Sequence, residues 1–350
     1  MTGRASLSLS PGLPDTIMEL VNQALTGNRR ALARLISQIE NDGALVAQAL
    51  AEIFARTGRA RVIGVTGAPG TGKSTLVSEI AKAYRRTGQT VGIVAVDPTS
   101  PFSGGAILGD RIRMRDLAGD PGVFIRSMAT RGSLGGLARA TADVTKILDA
   151  AGYDIILIET VGAGQSEVDI ARTADTTIVV EAPGLGDEVQ AIKAGILEIA
   201  DVLVVNKADR EGAANTVRAL EAMLDLGTAP RATQSAHHGV TINVEPVSRN
   251  SESEPAWRPP ILQTVALEGK GIDRVIEAIT RHQQHLANGE GEVRRRARLA
   301  AELEVILRET LLRRLMAGLA PTDVTAMVDR IFKRELDPYT AAQQLLAQQA

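Results

Sequence analysis

The chain has no cysteine among its 350 residues, which excludes disulfides and thiolate zinc sites and is compatible with the cytoplasm. Aromatic residues make up only 2% of it, so stacking platforms for single-stranded nucleic acid or sugars are few. Its formal net charge of −2 supplies no general attraction to nucleic acid or to an anionic membrane. No apolar run approaches the length of a membrane span, and the opening MTGRASLSLSPGLP lacks the apolar stretch of a secretion signal. The expectation is a cytoplasmic protein that works on neither nucleic acid nor membrane. There are 4 histidines, and His237-His238 reads as a solvated pair rather than a metal site. What is present, 44% hydrophobic and 23% charged residues, suffices for one large core with smaller appendages.

Residues 67–75, GAPGTGKST, match G-x-x-x-x-G-K-[ST] at Gly67, Gly72, Lys73 and Ser74. RVIGVT (61–66) before them reads as a buried strand, and TLVSEIAKAYRR after them reads as a helix. In that context Gly67, Gly70 and Gly72 let the backbone of Ala68, Pro69, Thr71 and Thr75 curl around phosphate oxygens. The helix beginning near Lys73 adds its positive end. Lys73 is expected to reach the β- and γ-phosphates, and the Ser74 hydroxyl to sit on Mg²⁺.

A second string, Asn206-Lys207-Ala208-Asp209, follows the apolar run VLVV. A carboxylate at Asp209 can accept from guanine N1–H and from its 2-amino group, whereas adenine offers an acceptor at N1 and no 2-amino group. Downstream of a phosphate loop, this favours GTP over ATP. The companion donor to guanine O6 is expected from the backbone of Val265-Ala266-Leu267, where Val265 stands at a position often taken by serine. Asp97 ends VGIVAVD, Asp110 lies in a glycine-containing loop, and Glu159 ends DIILIET. Ligands bind at the carboxyl ends of parallel strands, so these acids, with Ser74, are the candidate Mg²⁺ ligands. Lys73, Asp97 and Glu159 are the candidate catalytic groups.

Around these motifs the chain organises into three parts. Residues 1–58 read as a lead-in of two or three short helices, broken at Gly27 and near Asn41-Asp42-Gly43. Residues 59–288 alternate β-branched apolar runs (61–66, 91–97, 154–160, 176–182, 202–207) with helical stretches. That pattern predicts an α/β fold: a mostly parallel sheet covered by helices, as in the P-loop NTPases. A polar stretch at 228–258 reads as a surface insertion. Residues 289–350 read as a helical tail, one long helix and two shorter ones, whose stripe Leu299, Leu303, Leu307, Leu311 and Leu315 needs a core or a partner chain to cover it. Arg294-Arg295-Arg296 with Arg298 reads as a solvated helical face.

The strings GAPGTGKST, VDPTSPFSGGAILGDRIRM, FIRS, RGSLGG, ETVGAGQSE, PGLGDEVQAIKAGILEIAD and NKAD together resemble the methylmalonyl-CoA mutase-associated GTPases, the MeaB/ArgK-like group within the SIMIBI class. The resemblance runs from about residue 30 to the end of the chain. It implies a homodimeric G-protein chaperone that gates loading of adenosylcobalamin into an acyl-CoA mutase and protects or reactivates that enzyme. It also implies that Asp97 and Asp110 belong to one switch and Gln165 to a second. Asp187, Gln190 and Lys193 would act in a third.

The chain departs from that family in the length of 228–258, and at Met128 and Ala129, where a small or proline-containing pair is more usual. Arg111, Arg113 and Arg131 lie in loops that could approach the phosphates, but none stands out as an arginine finger. Slow intrinsic hydrolysis, raised by the mutase, is therefore expected. Two other classes stay open. A metal-inserting GTPase would share both motifs, but usually carries a Cys/His relay that this chain lacks. A kinase linked to amino-acid transport would need a phosphate-acceptor site and would more often choose ATP. The chain has no D-x-H-x-x-G string, so it is not expected to carry cobalamin itself.

Overall fold

The computed structural model describes residues 17–40, 43–97, 114–129, 136–160, 170–184, 198–226 and 257–347. The chain separates into two compact units that meet in sequence at Gly291 and Glu292.

The first unit begins with α1 (Ile17–Leu25), α2 (Arg29–Ile39) and α3 (Gly43–Ile53). The break between α1 and α2 has a local cause. Gly27 takes φ 89°, and Asn28 caps α2 by accepting from the N–H groups of Arg30 (3.0 Å) and Ala31 (3.1 Å). The strands β1 (Arg61–Thr66), β2 (Val91–Asp97), β3 (Val123–Ala129), β4 (Ile155–Thr160), β5 (Thr176–Glu181), β6 (Val202–Val205) and β7 (Ile261–Gln263) form one seven-stranded sheet. Its order is β3-β2-β4-β1-β5-β6-β7, and every pairing is parallel. The parallel α/β expectation therefore holds. The chain leaves β1 toward β2 on one side and later builds β5, β6 and β7 on the other, so the direction of winding reverses around the carboxyl end of β1.

Alternate strand residues feed two cores. Ile63 and Val65 face α4 (Lys73–Arg86), the turn α5 (Arg115–Ala118) and α8 (Ile272–His285). Val62, Val94 and Ile156 face α1, α2, α3 and α6 (Gly136–Ala150). The lead-in helices thus share a core with the sheet. The helix α7 (Ala213–Leu226) lays Leu220 on Val205 of β6. The entry to β1 is fixed from α6, whose buried Asp149 carboxylate accepts from the backbone N–H groups of Gly58, Arg59 and Ala60.

Two strands were not legible as apolar runs. In β3, Arg126 and Ser127 interrupt the hydrophobic pattern, and the strand lies at the sheet edge, where α2 covers it. The Arg126 guanidinium pairs with Glu40 and donates to Ser37 Oγ at 3.1 Å, so a charged residue is accommodated on a strand. Met128, one of the two family departures, is buried in the core beneath α6. The opposite edge strand, β7, is three residues long, too short for periodicity to register.

The second unit contains α9 (Gly291–Gly318), α10 (Pro321–Phe332) and α11 (Pro338–Ala347), close to the predicted long helix and two short ones. Asp337 caps α11, accepting from Tyr339 N–H (2.9 Å), Thr340 N–H (3.0 Å) and the Thr340 hydroxyl. The Thr340 bonds lead in holding its carboxyl below the usual range. No residue of α9 is buried, and Leu299, Leu303, Leu307 and Leu311 are exposed along it.

One buried group of the first unit titrates at high pH. Tyr84 on α4 has a buried hydroxyl with no hydrogen-bond partner among the described residues. Burial pushes this phenol from 10.0 up to about 12, against a partial offset from the Arg61 charge. A phenol that ionises later in the folded state stabilises fully below its unfolded pKa. That contribution is lost as pH rises from about 10 to about 12, on the order of 2–3 kcal/mol. Tyr84→Phe should leave the melting temperature near neutral pH unchanged or slightly raised, and should soften the alkaline decline. An alkaline unfolding midpoint identical in the two proteins would contradict the assignment.

Candidate nucleotide-binding site

The phosphate loop sits where β1 ends and α4 begins. Gly67, Gly70 and Gly72 all take positive φ (137°, 79° and 93°). At two of them space is also decisive, because a Cβ at Gly67 would lie 2.1 Å from the Val180 carbonyl oxygen and one at Gly72 would lie 2.4 Å from Asn206 Nδ2. The turn is closed by Thr71, whose hydroxyl donates to Ala68 O at 2.9 Å. Gly72 precedes α4 without any side-chain cap, which leaves the first N–H groups of the helix for an anion. Lys73 is buried and donates to the carbonyls of Gly67 and Ala68, both at 2.8 Å. Its ammonium is thus held inside the loop's own curve.

Ser74, also buried, donates from its hydroxyl to Glu159 Oε1 at 2.5 Å. Glu159 reaches it because β4 pairs with β1 in register, Glu159 opposite Val65. Beneath the loop the same two strands join through Thr160 Oγ1, which donates to Thr66 Oγ1 at 2.9 Å in the buried interior. Asp97 closes β2, opposite Ala129 of β3 and one strand beyond β4. Thus Glu159 and Ser74 are brought into contact, and Asp97 falls at the carboxyl end of the sheet.

Asn206 connects this loop to the second motif. Its Nδ2 donates to Thr71 O at 2.9 Å, while its Oδ1 accepts from Thr264 Oγ1 at 3.0 Å and from Ala266 N–H at 3.1 Å. Only 2% of the residue is exposed. Lys207 adopts φ 56°, a left-handed conformation uncommon for a residue with a side chain, and its ammonium donates to Gly70 O at 2.6 Å. The two side chains of one dipeptide therefore grip the phosphate loop at two points. Asp209 lies exposed beyond them.

The segment Val265-Ala266-Leu267 opens a short helical turn, Ala266–Glu268, whose position is fixed by a bridge between Val265 and Lys270. Val265 N–H donates to Lys270 O at 3.1 Å, so that donor is engaged, and Ala266 N–H is engaged by Asn206. Leu267 is exposed. Glu268, 2.6 Å from Lys270, holds that ammonium above its usual range, with Asp209 adding to the effect. Thr264, a partner of Asn206, was not singled out in the sequence. Its signal is its place immediately before the Val265-Ala266-Leu267 segment. Asp110, Gln165, Asp187, Gln190 and Lys193 lie outside the described residues, as do Arg111, Arg113, Arg131, His237 and His238. The span 228–256 of the insertion lies outside them too.

Comparison with known proteins places this geometry. The family model described as methylmalonyl Co-A mutase-associated GTPase MeaB matches residues 32–320. A Pyrococcus abyssi protein named as a GTPase is 45% identical over 331 residues, covering 94% of this chain and 96% of that one. The Escherichia coli GTPase ArgK is 37% identical over 268 residues, 75% of each chain. The mouse protein named methylmalonic aciduria type A homolog, mitochondrial, is 34% identical over 81% of this chain and 64% of its own length. Among solved structures, one described as LAO/AO transport system kinase has a TM-score of 0.65 at 27% identity and covers 97% of this chain and 99% of that one. A phosphate loop with an uncapped helix behind it, clamped by an Asn-Lys-x-Asp loop, is thus carried by a GTPase: the chain belongs to the methylmalonyl-CoA mutase-associated GTPase family.

Proposed function

We propose that this GTPase is a magnesium-dependent, guanine-selective chaperone of an adenosylcobalamin-dependent acyl-CoA mutase, most specifically methylmalonyl-CoA mutase, which gates cofactor loading and protects or reactivates the enzyme. The observation that carries the nucleotide part is the Asn206 joint between the phosphate loop and the Val265–Leu267 turn. The mutase part rests on the family description and on the name of the mouse relative.

The residues present suit a magnesium ion. Ser74 and Glu159 place two hard oxygen donors in contact beside the phosphate loop, and Asp97 ends a nearby strand. Among the described residues no group of three or more His, Cys, Asp or Glu forms a metal cluster. Magnesium fits that pattern, since it takes one or two carboxylates and completes its shell with water and phosphate. Bound there, the ion would neutralise charge building on the β- and γ-phosphate oxygens. Ser74 and Glu159 would hold it, with Asp97, and with Asp110 as a further candidate.

The chain's own groups do the rest. The uncapped N–H groups at the start of α4 are left for the phosphates, and the Lys73 ammonium, held at the Gly67 and Ala68 carbonyls, would turn to the phosphate oxygens. Asp209 accepts from guanine N1–H and the 2-amino group. The in-line attack of water on the γ-phosphorus is then a matter of positioning and electrostatics. Contacts to the γ-phosphate by the segments holding Asp110, Gln165 and Asp187 to Lys193 would pass its loss to the mutase. The exposed leucine stripe of α9 suits a homodimer contact. The chain carries no cobalamin motif of its own and acts on the enzyme that does.

Three measurements test this reading. Asp209→Asn should weaken GTP binding by about 100-fold, the worth of two charge-assisted hydrogen bonds, and should improve binding of xanthosine triphosphate, whose 2-oxo group accepts from an amide. Unchanged GTP affinity in a titration would remove Asp209 from the base site. Lys73→Ala should remain folded by circular dichroism yet lose at least about 100-fold in hydrolysis rate; normal turnover would point to a scaffold role. Single-turnover hydrolysis should accelerate when the purified mutase is added. Equal rates with and without it would contradict stimulation by the mutase, and a preference for ATP with transfer to a small acceptor would favour the kinase reading instead.

A further inference from the structure

On the face of the sheet away from α4, the rows of side chains on β1 and β4 change character at their last position. Val62 of β1 and Ile156 and Ile158 of β4 belong to the apolar core on that face, and the alternation of strand side chains places Thr66 and Thr160 in the same rows. Both threonines are buried, 0% and 2% exposed. A hydroxyl in such a place costs free energy that valine, of nearly the same shape, would not. Here that cost is offset by a bond between the two, Thr160 Oγ1 donating to Thr66 Oγ1 at 2.9 Å.

This rung of the sheet is a seam. The backbone pairing of β1 with β4 ends with Val65 opposite Glu159. One residue further, Thr160 still pairs with Val96 of β2 and Thr66 with Val179 of β5, each toward its outer neighbour. Among the described residues, the hydroxyl bond is what ties β4 to β1 at that rung. The two sides of the seam carry different parts of the site. Asp97 and Glu159 stand on the side of β2 and β4, whereas the phosphate loop and Asn206 continue from β1 and β6 on the other. The bridge also touches both parts in sequence. Thr66 directly precedes Gly67, and Thr160 directly follows Glu159, whose carboxylate accepts from Ser74 at 2.5 Å at the first turn of α4.

We propose that Thr66 and Thr160 are positioning residues for GTP hydrolysis: their bond fixes the spacing of the two strand ends and so holds Glu159 against Ser74, beside the phosphate loop. Neither hydroxyl touches nucleotide; both act through Glu159 and the start of the loop. This deepens the magnesium-dependent GTPase reading of the site and rests on it.

The test replaces both threonines by valine in the full chain, which keeps their shape and removes the bond. Removing both partners of a buried hydrogen bond is nearly neutral for stability, so Thr66→Val with Thr160→Val should melt close to wild type. The variant should nevertheless lose at least about tenfold in single-turnover hydrolysis, since small displacements of reacting groups carry such costs. It should also need at least about tenfold more magnesium to reach full affinity for a non-hydrolysable GTP analogue. Thr66→Ser with Thr160→Ser keeps both hydroxyls and loses two buried methyls; it should melt lower yet retain rate and magnesium dependence. A valine pair with wild-type rate and magnesium dependence overturns the proposal, as does a folded serine pair that loses both. If the valine pair does not fold, Thr160→Val, which removes only the donor, decides by the same two readings: both unaltered overturn the bridge. Wild-type protein in these assays reads the underlying assignment separately, and no hydrolysis there, or analogue binding indifferent to magnesium, would sink the site reading and the bridge with it.

Discussion

A single buried carboxamide joins the parts of the site that have to act together. Asn206 leaves β6 with its side chain spent entirely on other segments: one donor to Thr71 in the phosphate loop, and two acceptor contacts from Thr264 and Ala266 beyond β7. Buried polar groups cost free energy unless their bonds are made, and this one makes three at 2.9–3.1 Å. Lys207 adds a fourth tie, from a strained backbone conformation, to Gly70. The phosphate loop, the Asn206-Lys207 dipeptide and the segment from Thr264 to Ala266 thus share one joint.

The sheet makes that joint possible. Because every strand is parallel, β1, β4, β5 and β6 deliver Gly67, Glu159, Glu181 and Asn206 to one edge. The register that sets Glu159 opposite Val65 also brings its carboxylate to the first turn of α4, where Ser74 waits. Apolar packing on both faces fixes these positions: Ile63, Val65, Leu76 and Ile80 on one side, Val62, Val94, Ile156 and Ile158 on the other. The glycines are the counterpart of that packing. Gly67, Gly72 and Gly271 sit where a Cβ would strike the Val180 carbonyl, Asn206 or the Gln263 carbonyl, so backbone proximity is what the loops are built from.

How much of this the sequence disclosed depended on range. The strand Arg61–Thr66 and the strand Val91–Asp97 end where the apolar runs end, because a strand buried on both faces writes its limits into consecutive residues. β3 escaped because Arg126 is matched by Glu40, a residue 86 positions away that no local pattern reveals. The same holds in the site. The GAPGTGKST and NKAD strings are local and were readable, as was the placing of Glu159 and Asp97 at strand ends. The bond from Ser74 to Glu159 and the contacts of Asn206 with Thr71 and Thr264 span separations of 85, 135 and 58 residues, and only the fold brings them together. Val265 and Ala266, expected as backbone donors, lie beside Asn206, and their N–H groups are engaged by Lys270 and Asn206, which no local pattern discloses.

The most direct examination of the joint is to remove it alone. Asn206→Ala would be titrated with GDP, GTP and ATP beside the wild-type chain, with the fold monitored by circular dichroism. If Asn206 couples the two halves, the folded variant loses guanine preference and phosphate affinity together, GDP binding falling by about 100-fold for the bonds removed. A variant that gave up only its preference for guanine, or neither property, would show that base and phosphates are held independently and would contradict the account.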